Sequence, residues 1–98
     1  MTINAYDQGD LVKVSGSFTN EAGAAIDPSA VNFTYKDPGG TVTTLVYGVD
    51  AAVVKSSTGN YYVNLSATLP GTWFWRWHST GTGQAADNGQ FYVEPSPV

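Results

Sequence analysis

Short runs of alternating apolar and polar residues, separated by turn-forming clusters at fairly regular intervals, dominate this chain. Such spacing is typical of all-β sandwiches and barrels, and no stretch keeps a helical period long enough to predict a helix. The clearest turn is Asp37–Gly40 (DPGG), where proline presets one φ angle and glycine accepts a positive one. We therefore predict an all-β fold of about seven antiparallel strands, the number found in an immunoglobulin-like sandwich.

Alternation along these runs assigns one set of side chains to the core. The segment 79–89 (STGTGQAADNG) is predicted to be a flexible loop, and Pro95 and Pro97 end the last strand because proline cannot donate to a ladder. We predict one domain over residues 1–98, with a short N-terminal arm (1–7) and a proline-ended tail (94–98). The predicted inward residues are Val12, Val14, Gly16 and Phe18; Val31, Phe33 and Tyr35; Tyr61, Val63 and Leu65; and Phe91 and Val93.

Composition narrows the classes of partner. The 98 residues leave room for one core, and the absence of cysteine removes disulfides, thiolate metal sites and a cysteine nucleophile. Four basic residues and a net charge of −4 argue against binding to nucleic acid or to a membrane surface. We expect no signal peptide and no membrane span, because the sequence lacks an apolar segment of the required kind.

The segment 71–81 (GTWFWRWHSTG) holds all three tryptophans and the only histidine. Alternation along a strand puts the three indoles on one face and the intervening side chains on the other. A buried aromatic residue removes ~150–250 Å² from water, more than other side chains can. We predict that the indoles are the core anchors of the domain; they are Trp73, Trp75 and Trp77.

If the indoles point inward, the other face of this strand is exposed. Phe74, Arg76 and His78 would then form an aromatic and basic surface suited to protein contact, since aromatic residues and arginine are enriched at interfaces. Ile3 and Tyr6 of the N-terminal arm are further candidates for this contact surface. The alternative is that the tryptophans face solvent and stack on sugar rings as a glycan-binding platform.

No catalytic or metal-binding constellation stands out. No sequence signal marks a serine as an activated nucleophile for His78 to serve as base. No G-x-S-x-G elbow or phosphate-binding glycine loop is present. Asp7 and Asp10, with Asp27 or Asp87, would be the candidates for a calcium site, but hydrogen bonding to turn amides is favoured for these carboxylates. We therefore predict no catalytic residues, no cofactor and no metal, and a protein that is not an enzyme.

Several motifs occur in a characteristic order: YDQGDLV, DPSAV, DPGGT, TGNYYV, PGTWFWRW and FYVEP. In this order and spacing, nearly the whole chain resembles small immunoglobulin-like proteins encoded among the virion genes of tailed bacteriophages and prophages. The resemblance implies an immunoglobulin-like sandwich, synthesis in the bacterial cytoplasm and a place in the virion. It brings no catalytic residues.

The functional expectation is a non-enzymatic virion component, foremost a multi-copy decoration or cement protein on the phage head. Its partners would be the major capsid protein or other virion proteins, and self-association in the particle is a further expectation. A neck, tail or fibre component is the close alternative. A glycan-binding module that uses the tryptophan strand is the alternative from a different class.

Overall fold

The computed structural model describes residues 5–81 and 86–96, and the fold is all-β. In this part of the chain, no helix is long and apolar enough to cross a membrane. The strands are β1 (Ala5–Asp7), β2 (Leu11–Ser17), β3 (Ala30–Lys36), β4 (Val42–Val46), β5 (Val53–Ser57), β6 (Asn60–Ser66), β7 (Gly71–Thr80) and β8 (Ala86–Glu94).

The strands form two sheets. The larger sheet has the order β1-β8-β7-β3-β4, and the smaller sheet has the order β2-β6-β5. Neighbouring strands are antiparallel except for β1, which pairs with β8 in parallel. The DPGG segment joins β3 to β4, and its Asp37 carboxylate accepts a hydrogen bond from the Thr41 amide at 3.0 Å. The predicted hairpin is therefore present.

The core lies between the facing sheets and confirms the predicted alternation. Of the predicted inward residues, only Tyr35 is half-buried, whereas the rest are buried. The fully enclosed side chains include Phe33 and Trp77, which pack with ring centroids 4.7 Å apart. The buried apolar residues are Val12, Val14, Phe18, Val31, Phe33, Val53, Tyr61, Val63, Leu65, Ala67, Trp73, Trp77, Phe91 and Val93.

Two of the three tryptophans are core anchors, as predicted. Trp73 and Trp77 are 4% and 0% exposed, and the Trp73 indole stacks on Phe91 at 5.7 Å. Trp75 is only half-buried and packs against the margin of the core, so its assignment as a full anchor was too strong. The Trp75 indole packs on Gly89 of the neighbouring strand, and one side of it lines an opening between the two sheets, so it stays partly exposed.

The count of about seven strands was one too low because β1 was not predicted, and the loop between the last two strands was predicted too long. Part of the predicted arm, Ala5–Asp7, is a strand that pairs with Tyr92–Glu94 of β8. Both ends of the predicted loop 79–89 are strand, since β7 runs to Thr80 and β8 begins at Ala86, and residues 82–85 lie outside the described residues. Pairing with a neighbouring strand overrides the weak local preference of these short or polar segments. The predicted tail also begins one residue later, because Glu94 ends β8.

Candidate protein-contact face

The side chains of the five-stranded sheet that point away from the core form what we call the outer face. Phe74, Arg76 and His78 lie on it, because they alternate along β7 with the inward indoles. Phe74 is 47% exposed, Arg76 is exposed and His78 is half-buried. The structure therefore brings together the three residues that the sequence analysis assigned to one exposed surface.

Neighbouring strands extend the outer face around Phe74. Lys36 of β3 lies opposite Phe74, and Val42 of β4 lies opposite Lys36. On the other side, Gln90 of β8 lies opposite Phe74, and Tyr92 follows on the same face. Val42 is 61% exposed and Tyr92 is 39% exposed. Sequence reasoning missed Lys36, Val42 and Tyr92 because their nearness depends on the order of strands in the sheet.

A shallow groove of about 280 Å³ crosses the outer face. Its walls include the side chains of Phe74 and Val42, with Lys36, Arg76 and Asn88 beside them. An apolar centre with a polar rim is the usual composition of a protein–protein interface. The groove is open to solvent.

The outer face carries unpaired positive charge. Among residues 5–81 and 86–96, Lys36 and Arg76 take part in no ion pair or side-chain hydrogen bond. The ion pair that the described part contains joins Lys55 and Asp27, at 2.7 Å, in a different region. On an acidic chain of net charge −4, the part of the outer face around Phe74 is basic, whereas Asp7 and Glu94 lie on the same face at its β1 edge.

The opposite surface of the sandwich, the solvent side of the three-stranded sheet, has a different composition. It presents Lys13 opposite Asn64 and Ser15 opposite Tyr62, with the 66% exposed Leu11 at the start of β2. Its cation, Lys13, lies 4.4 Å from the centre of the Tyr62 ring and is thus held on its own sheet. We regard this surface as solvated and the outer face as the candidate for contact.

The arm residues do not join the outer face as predicted. Tyr6 is half-buried, and its ring packs edge-on against Phe91 at 5.5 Å. Its assignment to the contact surface was therefore wrong, because alternation along β1 points Tyr6 into the sandwich. Ile3 lies outside the described residues.

The carboxylates accept hydrogen bonds in separate turns. Asp10 accepts from the Asp7 amide at 2.9 Å, and Asp50 accepts from the Val46 amide at 2.8 Å. This confirms the predicted role in turns. Asp87 is exposed on β8, and the described residues contain no group of three or more histidines and carboxylates that could hold a metal ion.

Asp27 is the most connected carboxylate. It accepts hydrogen bonds from Lys55 at 2.7 Å, from the Gly59 amide at 3.0 Å and from the Tyr61 hydroxyl at 3.1 Å. The Lys55 ammonium and the Gly59 amide hold the pKa of Asp27 below its ordinary value. Burial, together with this hydrogen bond, raises the pKa of Tyr61 to about 12. The network joins the β2–β3 loop to the β5–β6 turn, which is a structural role.

Comparisons with known proteins support the fold alone. The chain matches no protein-family model and no curated protein sequence. Among solved structures, it is similar to a "putative glycoside hydrolase" from Bacteroides vulgatus ATCC 8482, with a TM-score of 0.62 and 15% sequence identity. The alignment covers 95% of this chain and 16% of that one. The described residues therefore share a β fold with one segment of a much longer protein.

Proposed function

We propose that this chain is an immunoglobulin-like binding module. The order of its sheets supports the proposal: β2, β6 and β5 correspond to strands B, E and D, and β3, β7 and β8 correspond to C, F and G. β4 then extends the sheet beside C, as in variable-type domains. In this scheme Trp77 of strand F packs on Gly16 of strand B, where antibody domains carry their inter-sheet disulfide.

We further propose that the module is a non-enzymatic component of a tailed-phage virion, foremost a multi-copy decoration protein on the head. The motifs that resemble phage immunoglobulin-like proteins motivate this role. A neck, tail or fibre position is the alternative that the same motifs allow. The fold neighbour is consistent with a module, since a domain of this size corresponds to 16% of a longer chain.

The observation that carries the proposal is the outer face. An exposed Phe74, 47% accessible, lies beside Lys36 and Arg76, neither of which has an ionic partner in the described part of the chain. A flat sheet surface of this kind suits attachment to a protein with an acidic or mixed surface, such as a capsid subunit. The glycan alternative finds little support, because Trp73 and Trp77 are buried and cannot form a platform.

The test begins with purified particles of the phage or prophage that encodes the chain. Mass spectrometry should detect it, and cryo-microscopy should find density of one small sandwich per site on the head. Particles without the chain would contradict the virion role, whereas density confined to the neck, tail or fibres would contradict the head position. In both cases the fold assignment would stand.

The contact face is tested by rebinding of purified chain to particles from a gene-deleted phage. We expect Phe74→Ser and Arg76→Glu to weaken binding by about 30-fold or more, the effect of losing a hot-spot residue. The matched controls are Leu11→Ser, at a 66% exposed residue, and Lys13→Glu, both on the three-stranded sheet. Equal binding of all four variants would show that the outer face is not the attachment surface.

A further inference from the structure

β2 forms one edge of the three-stranded sheet, and among residues 5–81 and 86–96 its one hydrogen-bonded neighbouring strand is β6. Its pairing with β6 runs in unbroken register from Leu11 to Ser17, without a bulge. A long, regular edge strand presents a row of unpaired backbone groups to any approaching strand. Natural proteins usually protect such an edge with a charged side chain, a proline, a bulge or a covering segment.

The flanking hydrogen bonds show which backbone groups face outward. The Ala67 amide donates to the Asp10 carbonyl at 2.9 Å, and the Phe18 amide donates to the Gly59 carbonyl at 2.8 Å. Because hydrogen-bonded pairs alternate in an antiparallel ladder, the even-numbered residues of β2 bond to β6. The amides and carbonyls that point away from the sheet belong to Leu11, Lys13, Ser15 and Ser17.

The β5 and β4 edges are each interrupted at one point, although β4 keeps outward amides at Val42 and Thr44, whereas the β2 edge is uninterrupted. The pairing of β5 shifts register between Lys55 and Ser57, and on β4 the Val46 amide and carbonyl bond to Asp50. An edge lysine usually discourages strand addition. The lysine of β2, Lys13, instead lies over the Tyr62 ring on the solvent side of the sheet.

A slot of about 170 Å³ opens between the sheets alongside β2. A strand added to β2 would cover this slot, because the three-stranded sheet is narrower than the five-stranded sheet that it faces. Every second side chain of the added strand would point into it. The half-buried Trp75 and Tyr6 lie in the slot, whose exposed lining is more polar than apolar. Its other lining residues are Val12, Val14 and Phe91, with Lys13 and Ser15 of the β2 edge.

We propose that the β2 edge is an acceptor site for an extended segment of another protein, with apolar side chains at alternate positions and polar side chains between them. The free backbone groups of β2 select an extended chain, and the Trp75 and Tyr6 rings in the slot favour apolar side chains at the positions that face it. The segment becomes a fourth strand of the smaller sheet. This site is separate from the outer face, so the inference does not rest on the function proposed above.

The test uses a capped heptapeptide in which valine alternates with threonine and glutamate. The control peptide has the same composition with its valines adjacent. Amide hydrogen exchange of the wild-type protein is followed by NMR. The alternating peptide should slow exchange at Leu11, Lys13 and Ser15 by about tenfold, the effect of one new hydrogen bond each. Exchange at the outward Thr44 amide of β4 should not change.

A pair of proline variants locates the site. Ser15→Pro removes an outward amide without breaking the β2–β6 ladder, and we expect about tenfold weaker peptide binding. Thr44→Pro makes the matched change on the β4 edge and should bind as wild type does. If Ser15→Pro does not fold, the wild-type exchange data decide alone.

Three results would overturn the proposal: no slowing at the β2 amides, equal slowing by the control peptide, or wild-type affinity in a folded Ser15→Pro variant. The proposal would also be overturned if exchange at these amides became slower as the protein concentration increased in the absence of peptide. That result would assign the edge to a second copy of this chain. Sedimentation equilibrium at the same concentrations provides the independent measure of self-association.

Discussion

Gly16 lies directly against the indole of Trp77 on the facing sheet: a β-carbon at residue 16 would stand 2.8 Å from both Cδ2 and Cγ of the ring. The two sheets can approach this closely at the centre of the core only because residue 16 has no side chain. Trp77 is 0% exposed and also packs on Phe33, so the indole has little room to move. The pair is a point of tight inter-sheet contact.

We expect Gly16→Ala to lower the free energy of unfolding by about 1–3 kcal/mol, the usual cost of overpacking a core. Urea denaturation measures it, with Ser15→Ala at an exposed neighbouring position as the control. The effect of Gly16→Ala should shrink when Trp77→Phe is already present, because the smaller ring leaves space for the methyl group. Additive losses in the double variant would contradict the packing explanation.

Gly59 is a second position where a methyl group should be costly. Its φ is +75°, and a β-carbon there would stand 2.6 Å from the carbonyl oxygen of Phe18. Gly23 has a similar φ, +84°, with no atom within 4 Å of such a carbon, so it is a matched control. Gly23→Ala should cost about 1–2 kcal/mol for the left-handed backbone alone. Gly59→Ala should cost clearly more in the same denaturation experiment, and equal losses would show that the backbone near Phe18 yields easily.

The raised pKa of Tyr61, about 12, predicts a loss of stability in alkali. The unfolded chain releases the tyrosine proton near pH 10, whereas the folded protein holds it to about pH 12. The contribution of Tyr61 to stability should therefore be full below pH 10 and fall by up to about 1.4 kcal/mol per pH unit above it. Denaturation curves at several pH values measure the slope. Tyr61→Phe should remove this part of the slope, and an unchanged slope would refute the assignment.

The lowered pKa of Asp27 predicts a loss of stability in acid. A carboxylate with a lowered pKa stabilises the fold above its ordinary pKa of 3.8, and this contribution is lost as the pH falls through the lower folded value. Asp27→Asn should be less stable than wild type at pH 6, and the difference should narrow at pH 2. Thermal denaturation at both pH values checks this expectation, and a constant difference would contradict it.

The tryptophan emission of the folded protein should be blue-shifted and mostly protected from iodide, because Trp73 and Trp77 are buried. The half-buried Trp75 should account for most of the quenchable fraction. Trp75→Phe should therefore reduce iodide quenching, whereas Trp73→Phe should leave it unchanged. A red-shifted, strongly quenched wild-type spectrum would contradict the burial and reopen the glycan platform.

Alternation alone was sufficient to predict much of this fold. It assigned Val12 and Val63 to the core, and it placed Phe74 and Arg76 on the face opposite the indoles. These assignments are local, since the direction of a side chain in a strand depends on its position in the run. The predicted Asp37–Gly40 turn is local for the same reason, and it is present.

The features that were missed depend on distant parts of the chain. β1 contains one half-buried apolar residue, Tyr6, and pairs with residues more than 80 positions away, so its own sequence gives little signal. The polar start of β8 is ordered by its ladder to β7, although its composition is typical of a loop. Lys36 and Val42 join the contact face only through the sheet order, which no single strand contains.

The parallel pairing of β1 with β8 also determines how the domain responds to tension. Ala5 lies beside Tyr92, and Asp7 lies beside Glu94, where the Gln8 amide also donates to the Glu94 carbonyl. A force that enters through residue 5 and leaves through residue 94 therefore pulls the two strands past each other lengthwise. All the hydrogen bonds between them must then break together, whereas an antiparallel pair pulled from one end opens one bond at a time. The sandwich is thus built to resist stretching along its own chain.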